Sequence, residues 1–301
     1  MSLIIPDTHH RLFEDVERRF RQLLRKNVVT GIDETRFDNW LANFWTDADR
    51  YLAARILDGL TYRSNAMVCS SIDHLLQCIL PLELRRVGLH FDSVDALLAA
   101  LEDPGDGFPI RFVAVDGAYE SEPGKSGAVV IRLFRRHARI HKKLTCRPDG
   151  LGTLPGTVKC LVFVDDMVGT GRQFVSFAKT HQLTTFAPRL ALLYAPLMAF
   201  DAGILTIERD VGVVAVRPVE TIDARHAFYR ESSKPGVWGA DEVNTVADVR
   251  AHVLGLVADR GIPTSTRHSL DLVLGFEHAT PNNSLPLLWA RSPTWAPLLI
   301  R

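Results

Sequence analysis

Cysteine is scarce. Of 301 residues only Cys69, Cys78, Cys146 and Cys160 are cysteines, no two form a CxxC pair, and no histidine stands near them at zinc-ligand spacing. That excludes a disulfide frame and a metal knuckle, and it fits a reducing compartment. Long apolar runs are missing as well. The short one at the start is cut off by Pro6 and Asp7, and nothing approaches the ~18 uninterrupted apolar residues of a membrane span. Net charge is missing too: 35 basic side chains stand against 35 acidic ones. A protein that coats nucleic acid or membrane over its whole surface is thereby excluded, while a local patch is not. Repeats and low-complexity tracts do not occur. What remains is a chain with 47% hydrophobic and 23% charged residues, enough to close a substantial core. The expectation is a cytoplasmic protein with no membrane partner.

The periodicity changes along the chain. Apolar residues recur at three and four spacings from Thr8 to Leu24, from Asp33 to Leu60, from Met67 to Leu84 with a break at Pro81, and from Ser93 to Leu101. This predicts a helical front. From Ile110 onward, short β-branched and aromatic runs take over: IRFVAVDG, CLVFVDD from Cys160, RLALLYAP from Arg189 and VGVVAVRP from Val211. Helices are expected between them, at Gly127 to Arg139, Gly171 to His181 and Leu197 to Arg209. Strands that are apolar on both faces and alternate with helices predict a doubly wound α/β core with a mostly parallel sheet. The expected organisation is a helical N-terminal region (1–105), the α/β core (106–220) and a C-terminal extension (221–301) with one good helix, Asp241 to Arg260, and a strand in SLDLVLGF.

The chemistry concentrates in CLVFVDDMVGTGRQF, Cys160 to Phe174. A strand runs into Asp165 and Asp166, then Met167 and Val168, then Gly169, Thr170 and Gly171 opening a helix with Arg172 and Gln173. Glycines let backbone N–H groups converge on an anion at a helix start, where the helix dipole adds attraction. Thr170 offers a hydroxyl and Arg172 a charge. Carboxylates repel phosphate but accept hydrogen bonds from the vicinal hydroxyls of a ribose. The combination suits ribose 5-phosphate. No GKS or GKT follows these glycines, so a Walker A loop is excluded, and a dinucleotide loop would not begin with two carboxylates.

A second signal lies upstream. Gly124, Lys125, Ser126 and Gly127 form a compact basic turn before a helix, either an anion loop or an ordinary turn capped by Ser126. Between Glu122 and Asp149 no acidic residue occurs, while Lys125, Arg132, Arg135, Arg136, Arg139, Lys142, Lys143 and Arg147 do. Arg132, Arg136, Arg139 and Lys143 share one helical stripe if the helix persists. The stripe could steer a pyrophosphorylated substrate, bind a nucleic-acid backbone or nucleoprotein partner, or be a solvated face. Trp40, Phe44 and Trp45 read as helix packing, His9 and His10 as a solvated start, and His74 as a core histidine.

The stretch DDMVGTGRQF resembles the PRPP-binding signature of the type I phosphoribosyltransferases. With KSG, LANFWTDADRYLAARIL and GFEHATPNNSLPLLW, the resemblance extends over most of the chain and points to a branch found with bacterial conflict and anti-phage systems, including retron-type effectors. It implies PRPP or a related nucleotide as ligand, Asp165 and Asp166 as catalytic residues, Val168 to Gln173 as the ribose 5-phosphate loop, and Lys125, Ser126 and Gly127 as the pyrophosphate loop. It also implies magnesium bridged through the substrate rather than bound directly by protein ligands. A hood of His278, Asn282 and Asn283 would read a nucleobase, although Thr280 to Asn283 is equally an ideal turn. Two departures matter. Purine-salvage enzymes carry an acid where Gly169 stands, and many members carry a hydroxyl where Gln173 stands. An inactive nucleotide sensor and a partner-controlled, nucleic-acid-associated effector therefore stay open beside the transferase, as does a homo-oligomer.

Overall fold

The structure is a computed structural model that describes residues 2–115, 126–230, 236–239, 241–258, 260–265 and 270–301. The chain opens with α1 (Leu12–Arg25), α2 (Glu34–Leu41), α3 (Asp47–Asp58), β1 (Thr61–Arg63), α4 (Asn65–His74), α5 (Leu80–Arg86) and α6 (Val94–Glu102). The middle holds β2 (Ile110–Ala114), α7 (Ser126–Arg136), β3 (Thr145–Cys146), β4 (Cys160–Val164), β5 (Met167–Val168), α8 (Arg172–Thr180) and β6 (Ala191–Tyr194). Then come β7 (Met198–Phe200), α9 (Asp201–Val211), β8 (Val214–Val216), β9 (Glu220–Ile222), α10 (Val246–Val257), β10 (Leu274–Phe276) and α11 (Pro286–Trp289). By contact these group into two units, one of Met1–Ala66 with Asp223–Arg301 and one of Met67–Ile222.

The first unit is built from both ends of the chain. In α1 the four-residue spacing of Val16, Phe20 and Leu24 buries one stripe. Asp33 caps α2 by accepting from Arg36 N–H, and Thr46 with Asp49 forms a capping box on α3. β1 pairs in parallel with β10, Thr61 opposite Leu274. The core joins Phe37, Trp40 and Phe44 of the front to Phe228, Trp238 and Trp295 of the later segment. Trp45 departs from the packing expectation: it is 74% exposed, with the Arg260 guanidinium 4.4 Å from its ring centroid. His9 is half-buried beside Tyr51, and His74 is exposed rather than core.

The second unit carries a five-stranded, all-parallel sheet in the order β3-β2-β4-β6-β8. Every residue of β4 is buried, as a strand covered on both faces must be. Successive side chains point to opposite faces. Phe112 meets Phe134 of α7, while its neighbour Val113 shares a cluster with Phe163 and with Phe174 and Phe177 of α8. Helices thus lie on both faces, and the chain has the doubly wound α/β fold. Pro81 does not break the helix before it. α4 runs through a π-helical turn, Leu75–Ile79, into α5, whose first positions tolerate a proline that lacks an N–H. This stretch, Asn65–Arg86, is the one helix among the described residues long and apolar enough to cross a bilayer. It buries Ile72, Leu75, Leu80 and Leu84 within the fold.

A second parallel sheet, β5-β7-β9, follows the first. Two or three residues separate β5, β7 and β9 from the ends of β4, β6 and β8, and the spatial order is the same. Each of these three strands is therefore broken once and then resumes. Met198 to Phe200, expected as the first turn of a helix, is the resumed strand β7, and α9 starts only at Asp201.

Candidate functional site

Asp165 and Asp166 occupy the break between β4 and β5. Their carbonyls accept from Leu197 N–H and Met198 N–H at 3.0 Å each, so the main chain stays hydrogen-bonded while the strand changes course. Both side chains are buried, at 2% and 6% exposure. The Asp166 N–H donates to Asp165 Oδ1 at 2.9 Å, and the Tyr194 hydroxyl donates to Asp165 Oδ2 at 3.2 Å. Tyr194 is held in turn by stacking on Phe174, centroids 3.9 Å apart and 11° from parallel.

Burial, and then the charge of Asp166, push the Asp165 carboxyl well above the usual carboxylate range. Burial beside the same acids pushes the Tyr194 phenol up. Asp165 therefore holds a proton more tightly than a solvated aspartate would, and the Tyr194 hydroxyl stays a donor. Tyr194→Phe removes a hydrogen bond that favours the charged form, so Asp165 should titrate at still higher pH. Carboxyl carbon shifts followed by NMR across a pH series would check this, and a lower titration point would refute it.

The resumed strand places Val168 in the core, paired with Ala199, and delivers Gly169, Thr170 and Gly171 to the start of α8. Gly171 has φ +77°, a conformation costly for a side chain, and a Cβ there would meet the Gly203 carbonyl oxygen at 2.5 Å. α8 has no side-chain cap, so its first-turn N–H groups have no side-chain acceptor at the helix start. Arg172 and Gln173 are exposed on that turn and Thr170 is half-buried. A phosphate would satisfy such a helix start. α9 braces the loop from behind: a Cβ on Gly203 would lie 2.0 Å from the Gly169 carbonyl oxygen.

Of the upstream turn, Lys125 lies outside the described residues, and Ser126 and Gly127 are the first residues of α7. Because α7 runs antiparallel to the strands it connects, they open it at the carboxyl edge of the sheet, the edge where the acid pair stands. The basic stripe does not form as one helical face. α7 ends at Arg136, and Arg139, three residues on, takes φ +56°, a left-handed conformation through which no helix continues. Arg139 pairs with Glu102 at 3.1 Å, and Lys143 sits in the 3-10 turn that leads into β3. Arg132 and Arg136 remain exposed on α7.

His278, Asn282 and Asn283 belong to the first unit, whereas the acid pair and its loop belong to the second. Ser284 N–H donates to the Pro281 carbonyl at 3.0 Å, closing a turn, and Asn282 Oδ1 accepts from Arg301 at 2.6 Å. Trp289 donates to the Ser284 carbonyl and packs against the core. Sequence reading missed Tyr194 and Gly203. The first was detectable only as the last residue of a strand neighbouring β4, the second only as a small residue one turn into a helix.

An α/β protein with a buried acid pair at the carboxyl edge of a parallel sheet, followed by a glycine turn and an uncapped helix start, has at that edge the residue types that suit a phosphate and a diol. Residues 37–301 match the PRTase-CE family, and the chain belongs to that family, of phosphoribosyltransferase type. The match includes most of the first unit and all of the second, so both are part of the family's architecture. No curated protein matches the chain in sequence.

Proposed function

We propose that the chain binds PRPP, or a nucleotide that presents ribose 5-phosphate, and transfers or cleaves at the anomeric carbon. The observation that carries this reading is the break between β4 and β5, which sets two buried carboxylates directly ahead of an uncapped helix start. The 5-phosphate lies on Gly169 to Gln173, and the ribose diol donates to Asp165 and Asp166. As the leaving group departs, positive charge builds on the sugar ring, and the acid pair supplies negative potential beside it. Ser126 and Gly127 at the start of α7 offer backbone N–H groups to the pyrophosphate. Gly169 supplies no base, which disfavours the proton chemistry of purine salvage.

Adjacent carboxylates suit a divalent cation, and no group of three or more candidate metal ligands occurs among the described residues. In this reading magnesium is carried in by the substrate. When bound it neutralises charge on the departing pyrophosphate.

Because Asp165 is held toward its neutral form, a ligand that needs both carboxylates ionised must expel a proton. Calorimetry with PRPP and magnesium in buffers of different ionisation enthalpy should show binding with proton release, and affinity rising with pH until Asp165 ionises on its own. Failure of the folded protein to bind PRPP would overturn the cradle, and binding without proton release would overturn the role given to Asp165. Mass spectrometry of the products after incubation with PRPP and nucleotides then tests transfer.

A further inference from the structure

The parallel topology gives the second unit two unlike edges. Crossover helices run opposite to the strands, so the end of α7 and the turn after it lie at the amino edge, across the sheet from Asp165 and Asp166. Hydrogen bonds and ion pairs agree: His141 N–H donates to the Leu101 carbonyl, Arg139 reaches Glu102, and Lys159 N–H donates to the Pro109 carbonyl just ahead of β2. Lys159 and Asp165 flank the ends of β4, about 20 Å apart at the ordinary rise of a strand. A pyrophosphate held beside the acid pair is out of reach of this edge.

Arg135, Arg136, Lys142, Lys143 and Lys159 are exposed there, and none of the five makes an ion pair among the described residues. The acids on the same edge are Glu102, which Arg139 occupies, Asp73, which His137 occupies, and Asp103 and Asp106 on the connection into β2. Positive charge therefore remains in excess on one face of a chain whose net charge is zero. Phe112 and Phe134 beneath it are fully buried, and no large apolar side chain among the described residues from 103 to 160 is exposed. Phe108, on the connection into β2, is half-buried with its ring 6.0 Å from that of Phe91, so the described part of this surface presents charge rather than an exposed aromatic platform or an apolar anchor.

We propose that this amino edge is a docking surface for the phosphate backbone of a nucleic-acid duplex, separate from the cradle. The inference does not rest on the PRPP reading. Fluorescence anisotropy of labelled duplex RNA and duplex DNA with the full chain, between about 50 and 200 mM salt, should show binding that weakens steeply with salt. Changing Arg135, Arg136, Lys142 and Lys143 to Gln should weaken binding at least tenfold at the low-salt end. It should also flatten the log–log salt slope by about 0.9 for each phosphate that is no longer neutralised. A second variant, Lys142→Glu with Lys143→Glu, should do the same while circular dichroism stays unchanged. Asp165→Asn should bind the duplex as the wild type does. The proposal is overturned by no duplex binding at low salt, by an unchanged slope in the variants, by tighter binding of single strands, or by equal binding to anionic lipid vesicles. Preference for RNA or DNA identifies which duplex form the edge fits.

Discussion

Asp165→Asn with Asp166→Asn should abolish ribose phosphate binding, lowering affinity for PRPP with magnesium by at least about a hundredfold, because two charge-assisted hydrogen bonds and the metal's counter-charge vanish together. The same variant should be no less stable than the wild type when empty. A carboxyl whose folded titration point is raised contributes stability that is complete below its unfolded value and is lost as pH rises through the folded one. An amide at 165 does not ionise, yet its oxygen can accept from the residue 166 N–H and its NH2 can donate to the Tyr194 oxygen. The difference in melting temperature in favour of the variant should therefore widen from acid to mildly alkaline pH. Thermal melts over that range, beside calorimetry, check both halves. A variant that loses binding and also melts lower at alkaline pH would mean the acids support the fold rather than a ligand.

Gly203→Ala should damage the site although Gly203 is not itself expected to contact ligand, because it braces the glycine turn from behind. The new methyl would stand 2.0 Å from the Gly169 carbonyl oxygen and 3.0 Å from the Val168 side chain. Main chain cannot yield as a flexible side chain does, so α9 and the glycine turn must part, at about 1 to 3 kcal/mol. Ribose phosphate affinity should fall about tenfold or more, since the N–H groups of a displaced turn no longer converge on the anion. Gly255→Ala is the matched control. It lies inside α10 with open space around the added methyl, and it should raise stability by as much as ~1 kcal/mol through helix propensity alone. Unchanged affinity in Gly203→Ala would show that α9 does not support the site.

These two variants mark where the sequence is informative and where it falls silent. The candidate site was legible as a local structure because its parts are contiguous: a strand buried on both faces, two acids, a glycine turn, a helix. The fold class followed from four such strands alternating with helices. The break in the strands was not legible, since β5, β7 and β9 are two or three residues long and take their identity from neighbours distant in the chain. Leu197 to Phe200 is apolar enough to begin a helix or to fill a strand, and only pairing with β5 and β9 decides between them. The end of α7 was hidden because a left-handed arginine carries no local signal of the kind that glycine gives. No local pattern announces that β1 will pair with a strand near the other end of the chain.

That last pairing orders the history of the molecule during its synthesis. Thr61 waits for Leu274, about two hundred residues later, and a closure that long carries a large entropic cost and is slow. The unit from Met67 to Ile222 has its whole sheet in hand well before then. On the ribosome the unit that carries the acid pair is therefore finished first, while the front helices remain without the strand and core residues that complete their own unit.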